Sequence, residues 1–339
     1  MARRPGLSLR RLERIVDGFS RLRLLVVGDA MLDEYLWGDV ERVNPEAPVP
    51  VVSVKRQSTA LGGAANVVRN VVAMGAECFL GGVIGDDAAG DRLVDLMKEL
   101  GADPGGLIRV EGRPTTRKTR VEAQSQQILR VDHETDEPAP PIAFRQLDTW
   151  IHEAMQRSHG VVLEDYGKGV LVPASARRWM RKFRAAGIDV AVDPKSHLGA
   201  YRGAQMVKPN VREVEALTGQ RVRDREELGA AVIKLRRKLD GAAVVVTRDA
   251  QGMSVFDDED PEGIDAPVAR SEVFDRQGAG DTCIAALALA RLAGASLLEA
   301  AIVANAAAAV VVGKLGTASA TPEEIRQLLP AALDAVRRR

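Results

Sequence analysis

The sequence predicts an α/β fold with a mostly parallel central sheet, helices on both faces and a small separate β lid. Three observations carry this. From residue 146 onward, short apolar runs alternate with helical periodicities, as in buried parallel strands joined by crossover helices. Two stretches, near 33–60 and 112–135, break that rhythm with prolines and strand-like alternation. Finally, Asp275-Arg-Gln-Gly-Ala-Gly-Asp281 joins a strand-like run at 271–274 to an Ala/Leu-rich helix at 282–293.

Length allows one large α/β domain or two ordinary ones, and the 339 residues are read as a single domain, 1–339. The formal net charge is zero, which argues against nucleic acid or an anionic membrane as partner. Cys78 and Cys283 are far apart, and His133, His152, His159 and His197 form no HExxH or Cys/His pattern, which excludes the usual zinc sites. Met-Ala-Arg-Arg-Pro is followed by no apolar signal-peptide core, and no apolar run is long enough to span a bilayer. A cytoplasmic protein is expected.

In chain order, residues 7–21 carry a helical apolar stripe (Leu9, Leu12, Ile15, Val16, Phe19), and 22–27 is a buried strand ending at Gly28-Asp29. Ligands in such sheets gather beyond the carboxyl ends of strands, so Asp29 and Asp33 are either acceptors for sugar hydroxyls or turn and cap residues. Asn44-Pro-Glu-Ala-Pro-Val-Pro50 excludes helix, and 51–55 is a short strand. Leu61-Gly-Gly-Ala-Ala-Asn66 opens a helix to about Met74, with Gly75 as its stop; Gly62 and Gly63 allow a ligand close to the backbone, and Asn66 offers donor and acceptor. A strand at 79–84 and a helix from 85–90 to Gly101 follow.

In 115–132, Thr116, Lys118 and Arg120 share one strand face, and 128–132 returns antiparallel. Lys118 and Arg120 either grip a substrate anion or form a solvated basic face. Then come helix 144–157, strand 161–163, loop 164–169, helix 174–186, strand 190–192 and loop Asp193-Pro-Lys195. Met206-Val207 leads to Lys208-Pro-Asn210-Val-Arg-Glu213 and a helix to Gly219; strands at 244–247 and 253–256 flank the turn 249–252, and 257–260 is an acidic turn. The second Ala-rich helix spans 297–312.

The chemistry concentrates at 275–281. Gly278, Ala279 and Gly280 let a ligand approach the backbone, and the unpaired N–H groups of a helix start favour an anion, most naturally a phosphate. Asp281 in that first turn is then placed to accept a proton beside the phosphate; the alternative is a Gly-rich turn with an Asp cap.

Gly62-Gly-Ala-Ala-Asn66 followed by Gly75, and Asp275…Gly-Ala-Gly-Asp281, resemble the two signatures of the ribokinase-like, phosphofructokinase-B type of sugar kinases, over nearly the whole chain. Val27-Gly-Asp-Ala-Met-Leu-Asp33, Asn44–Pro50, Leu61–Val67, Asp165-Tyr-Gly-Lys-Gly169 and Asp193-Pro-Lys195 resemble, within it, the D-glycero-β-D-manno-heptose-7-phosphate kinases of lipopolysaccharide-core precursor synthesis, in their stand-alone form.

The resemblance implies a ribokinase-like fold and ATP, Mg²⁺ and a small-molecule sugar phosphate as ligands. It makes Asp281 the base for the anomeric hydroxyl, with the N–H groups of Gly278, Ala279 and Gly280 holding the transferring phosphoryl group. Asn210 and Glu213 would position Mg²⁺ through water, Lys195 the phosphates, Thr247 and Gly252 the nucleotide, and Asn305 the adenine. Asp29, Asp33, Gly62, Gly63 and Asn66 would hold the sugar, and Lys118 or Arg120 its distal phosphate. Asp275 would support a monovalent cation such as K⁺, and pairing of lids across a twofold axis would give a homodimer.

Three residues depart from the pattern. Arg276 and Gln277 replace small or hydroxylated residues, which puts the monovalent-cation site in doubt, and Glu164 stands where the branch tends to carry Ser. No Walker-A motif is present, and Gly278-Ala-Gly280 lacks the third glycine of a dinucleotide fingerprint. The remaining alternatives are another sugar or nucleoside kinase, such as a fructokinase, or a sugar-binding regulator on the same fold.

Overall fold

The computed structural model describes residues 7–123, 126–268, 275, 277–314 and 316–338; the strand expected at 271–274, Arg276 and part of the turn at 124–127 lie outside the described residues. The chain runs α1 (Leu9–Asp17), β1 (Arg23–Gly28), β2 (Ala30–Val43), β3 (Pro50–Gly63), α2 (Ala64–Ala73), β4 (Glu77–Gly85), α3 (Ala88–Glu99), β5 (Leu107–Val110), β6 (Arg117–Ala123), β7 (Gln126–His133) and α4 (Pro141–Gln156). It continues with β8 (Gly160–Glu164), α5 (Pro173–Ala185), β9 (Asp189–Asp193), β10 (Met206–Val207), α6 (Val211–Thr218), α7 (Arg225–Lys238), β11 (Ala243–Thr247), β12 (Met253–Phe256), β13 (Ile264–Ala266), α8 (Ala279–Leu292), α9 (Leu297–Val312) and α10 (Pro322–Arg337).

Nine strands form one sheet in the order β13-β12-β11-β10-β9-β8-β1-β4-β5, parallel from β11 to β5 and antiparallel over β11-β12-β13. Both faces are covered, so the central strands are buried throughout: Leu24, Leu25, Val26 and Val27 of β1 are fully enclosed. Leu24 and Val26 face a core built with α1, α2, α8, α9 and α10, while Leu25 and Val27 face one built with α4, α5 and α7.

The two excursions meet as expected in a second, four-stranded sheet, β3-β2-β6-β7. β2 and β3 pair from Ala30↔Gly63 to Val43↔Pro50, with register shifts at Trp37/Gly38 and Val40/Arg42. β6 lies parallel to β2, and β7 returns antiparallel. Their inner ends therefore abut the main sheet and their outer ends reach solvent, where Val43 and Val54 are exposed.

Several boundaries differ from expectation. The N-terminal helix stops at Asp17, and Phe19–Arg21 forms a separate 3₁₀ turn. α2 begins at Ala64, since β3 keeps its pairing through Gly63. α4 begins at Pro141, a favoured first helical position, and α8 begins at Ala279. Helices α7 and α10 and strands β5 and β13 had no counterpart in the sequence reading.

Candidate active site

The site forms where α8 starts, beyond the carboxyl ends of the central strands. Gly278 caps the helix at φ 72°, a left-handed conformation, and a Cβ there would lie 2.8 Å from Asn66 Nδ2. Glycine is needed on both counts. The following turn presents Ala279, Gly280 and Asp281, with no side chain capping the first N–H groups.

Asp281 is 6% exposed. Its Oδ1 accepts from Tyr166 Oη at 2.7 Å and its Oδ2 from Asn66 Nδ2 at 2.5 Å. Burial raises its pKa above the ordinary carboxylate value, while the two hydrogen bonds and the Lys208 ammonium pull it down. Asn66 is steadied in turn: Asn70 Nδ2 donates to its carbonyl at 2.9 Å, and Thr282 Oγ1 donates to Asn70 Oδ1 at 2.8 Å. This chain stitches α2 to α8 beneath the carboxylate.

One face of Asp281 opens into a cavity of about 830 Å³. It gathers Ala279, Gly280 and Asp281 with Lys195, Asn210, Glu213, Thr247, Gly252 and Asn305, which come from five separate stretches of chain. Val268, Ala308, Ala309 and Val312 supply apolar wall. Asn210 and Glu213 form a capping box at the start of α6: Asn210 Oδ1 accepts from Glu213 N–H, and Glu213 Oε2 accepts from Asn210 N–H, both at 2.9 Å. The second carboxylate oxygen of Glu213 stays available at the cavity wall, and one carboxylate plus water is the manner in which Mg²⁺ is usually held. Asn305 Nδ2 donates to Ala266 O at 2.7 Å, so it fixes β13 against α9 as well as lining the cavity.

Sequence reading missed several residues here. Lys208 Nζ meets Asp193 Oδ2 at 2.7 Å with both side chains buried or nearly so, and Asp193 with Glu164 holds Lys208 firmly cationic. Glu164, 1% exposed, is pushed well above the usual carboxylate range by burial and by the negative charge of Asp193. Asp165 pins the loop that carries Lys195, accepting from Lys195 N–H, Ser196 N–H and Tyr201 Oη. Only the contacts reveal these roles; the residue types were visible.

The residues expected around the sugar do not line this cavity. Asn66 reaches Asp281 from the other side, as above. Asp33 binds Arg120 Nη1 at 2.6 Å, and a Cβ on Gly62 would lie 2.8 Å from Asp33 Oδ2. Gly63 turns β3 into α2 with φ 54°.

Asp29 is bonded as the turn-and-cap alternative has it, to backbone N–H groups. Its Oδ2 accepts from Tyr166 N–H at 2.9 Å and Lys168 N–H at 3.0 Å, and its Oδ1 from Val170 N–H at 3.2 Å. A carboxylate so engaged organises the 166–170 loop, and burial still raises its pKa to about 6. Lys118 and Arg120 are likewise committed: Lys118 Nζ lies between Asp132 and Glu134, and Arg120 sits on Asp33. Asp275 accepts from Gln277 N–H and Gly316 N–H. No helix among the described residues is long and apolar enough to cross a membrane.

Comparison with known proteins agrees with this geometry. Residues 21–324 match the family described as "pfkB family carbohydrate kinase". The chain is 41% identical over 316 residues to "Bifunctional protein HldE" of Wolinella succinogenes, covering 93% of this chain and 66% of that one. It is 44% identical over 319 residues to the protein of the same name in Paramagnetospirillum magneticum, covering 93% and 65%. It therefore spans just under two thirds of these relatives. Among solved structures, Arabidopsis thaliana ribokinase complexed with ribose and ATP superposes with a TM-score of 0.73 at 22% identity, covering 91% of this chain and 98% of that one. Escherichia coli phosphofructokinase-2 in complex with potassium gives 0.77 at 20%, covering 92% and 99%. At such identities the likeness is one of fold.

Proposed function

The chain belongs to the pfkB family of carbohydrate kinases, and from that premise we propose that it phosphorylates D-glycero-β-D-manno-heptose 7-phosphate at the anomeric hydroxyl with ATP. The product is the 1,7-bisphosphate, a precursor of ADP-heptose and the lipopolysaccharide core. The observation that carries this reading is the setting of Asp281: a buried carboxylate in the first turn of α8, aimed by Tyr166 and Asn66, at the junction of the large cavity and the lid.

In this reading the cavity takes ATP. Its apolar wall at Val268 and Ala308 faces the base, while Lys195 and Lys208 balance the phosphates. Glu213 and Asn210 would hold Mg²⁺, which when bound would neutralise charge on the phosphates. The N–H groups of Gly278, Ala279 and Gly280 stabilise the oxygens of the transferring group. Asp281 takes the proton from the sugar hydroxyl as the new O–P bond forms, and its raised pKa suits that task. Asp33, Gly62, Gly63 and Asn66 receive the sugar, beneath the four-stranded lid. Asp275, at the end of the same segment, is where a monovalent cation would bind if the family's site is kept. A test follows ADP release by purified protein with Mg²⁺, ATP and a panel of sugars. Strong preference for the heptose 7-phosphate is expected, whereas a higher kcat/KM for fructose, ribose or a nucleoside would overturn the assignment.

A further inference from the structure

Two sequence motifs, Val27-Gly-Asp29 and Asp165-Tyr-Gly-Lys-Gly169, meet at one buried carboxylate that does not line the large cavity. Besides the three N–H groups that its side chain binds, Asp29 is engaged through its main chain. Its N–H donates to Glu164 O at 3.2 Å, and its O accepts at 3.1 Å from the N–H of Ala64, the first residue of α2. The approach is close on both sides. A Cβ on Gly28 would lie 2.1 Å from Glu164 O, and one on Gly63 would lie 2.5 Å from Asp29 O. Glycine at 28 and 63 is what lets the loop after β8 and the start of α2 close on residue 29.

Those two segments are the ones that carry the partners of Asp281. Asn66 stands in the first turn of α2, two residues after Ala64, and Tyr166 lies in the loop that Asp29 grips. The loop is neither helix nor strand. Gly167 and Gly169 take φ of 68° and 87°, and Gly167 N–H turns away to Asp165 Oδ1 at 2.9 Å. The alternate N–H groups of Tyr166, Lys168 and Val170 turn to Asp29 instead. Backbone N–H groups gathered around an anion form the kind of concavity that elsewhere binds phosphate, and here the protein's own carboxylate fills it. Both donors to Asp281 are thereby referred to a single residue.

We propose that Asp29 is a positioning residue for the phosphoryl transfer: its carboxylate seats Tyr166 against Asp281, and its main chain seats the start of α2 and with it Asn66. This rests on the reading of Asp281 as the base. Asp29 acts through these two donors and makes no contact of its own with the reacting atoms. Asp281 is carried by the enclosed helix α8, so its aim depends on donors brought to it by other segments. A shift of the 166–170 loop would withdraw the Tyr166 hydroxyl from Oδ1 while leaving Asn66 on Oδ2.

The test is a double-mutant cycle on kcat with wild type, Asp29→Asn, Tyr166→Phe and the two combined, each verified by a thermal melt. An amide at position 29 must turn its NH₂ group either to Val170 N–H or to the N–H groups of Tyr166 and Lys168, donor against donor, so the loop leaves its seat. Asp29→Asn should lower kcat about 10- to 100-fold, the cost of a misplaced group, with KM for ATP unchanged. Adding Tyr166→Phe should then cost little more, because the hydroxyl has already lost its place; a merely structural Asp29 would give losses that multiply. A folded Asp29→Asn protein with wild-type kcat, or multiplying losses, overturns the proposal. If Asp29→Asn does not fold, amide exchange in the wild type decides. The amides of Tyr166, Lys168 and Val170 should exchange as slowly as those of β8, and free-amide rates at all three would overturn the clasp. Failure of the underlying reading looks different: Asp281→Asn would then keep wild-type turnover, whatever the cycle at Asp29 gives.

Discussion

Replacing Asp281 with Asn separates chemistry from structure at this site. The amide is isosteric, and the structure gives both of its ends a partner. The amide oxygen accepts from Asn66 Nδ2 as Oδ2 does now, and the amide nitrogen donates to the Tyr166 hydroxyl, which can turn from donor to acceptor. No buried polar atom is orphaned, and one buried charge disappears. Burial is the largest influence on the Asp281 carboxyl and acts against its ionised form, so stability should stay within about 1 kcal/mol of wild type or rise. Turnover should fall by about two to four decades, which is about 2.7–5.5 kcal/mol of transition-state stabilisation. The raised pKa gives a second signature. A base must be deprotonated, so wild-type kcat/KM should fall as pH drops through a value above the ordinary 3.8, and the Asn variant should lose that limb. The assays are a thermal melt and a pH series of ADP release. A folded Asp281→Asn protein with near-wild-type turnover would refute the assignment of the base.

Tyr166→Phe removes a hydrogen bond that favours ionised Asp281, so the acid limb should move to higher pH; an unmoved limb would show that the hydroxyl does not act on the carboxylate. Lys208→Met leaves Asp193 buried beside Glu164 without its cation, and urea unfolding should report a loss of about 3–5 kcal/mol; a loss under about 1 kcal/mol would mean the pair is effectively solvated. Among the described residues, five of the seven exposed large hydrophobic side chains, Val43, Val49, Val54, Leu129 and Val131, lie on the lid, which supports a homodimer formed by lid pairing. Sedimentation should give a dimer that Val54→Lys with Leu129→Lys weakens, and a wild-type monomer at micromolar concentration would refute this.

Sequence carried the architecture where local pattern decides it. The apolar runs at 22–27 and 161–163 have no other way to be buried than as central strands, and Pro45, Pro48 and Pro50 mark the lid because proline fits neither helix nor central strand. The start of α10 was also legible, in the capping box of Thr321 and Glu324 with Pro322 at the first helical position, yet it went unread. β5 and β13 are short and owe their existence to neighbours. At the site, Ala279, Gly280 and Asp281 were readable as cavity residues because glycine and a following carboxylate reveal backbone chemistry. Partnerships were not. Nothing local marks Tyr166 as the support of a carboxylate 115 residues away, or Asp29 as the clasp of a loop 137 residues on. Charge is visible in sequence, whereas its cancellation by Asp132 and Glu134 depends on which strands pair.

The helix that bears Asp281 is enclosed on all sides: every residue from Asp281 to Ala290 is buried. Such a rod can neither roll nor slide without opening the interior, so the carboxylate has a fixed address set by buried alanines. Widening one of them, for example at Ala286 or Ala290, adds volume to a filled core and costs typically 1–3 kcal/mol. The same strain would tilt the rod and misalign the carboxylate with an acceptor oxygen it must meet closely. The reaction coordinate of the proposed transfer would thus be surveyed from the core, with whatever moves during turnover moving around a stationary aspartate.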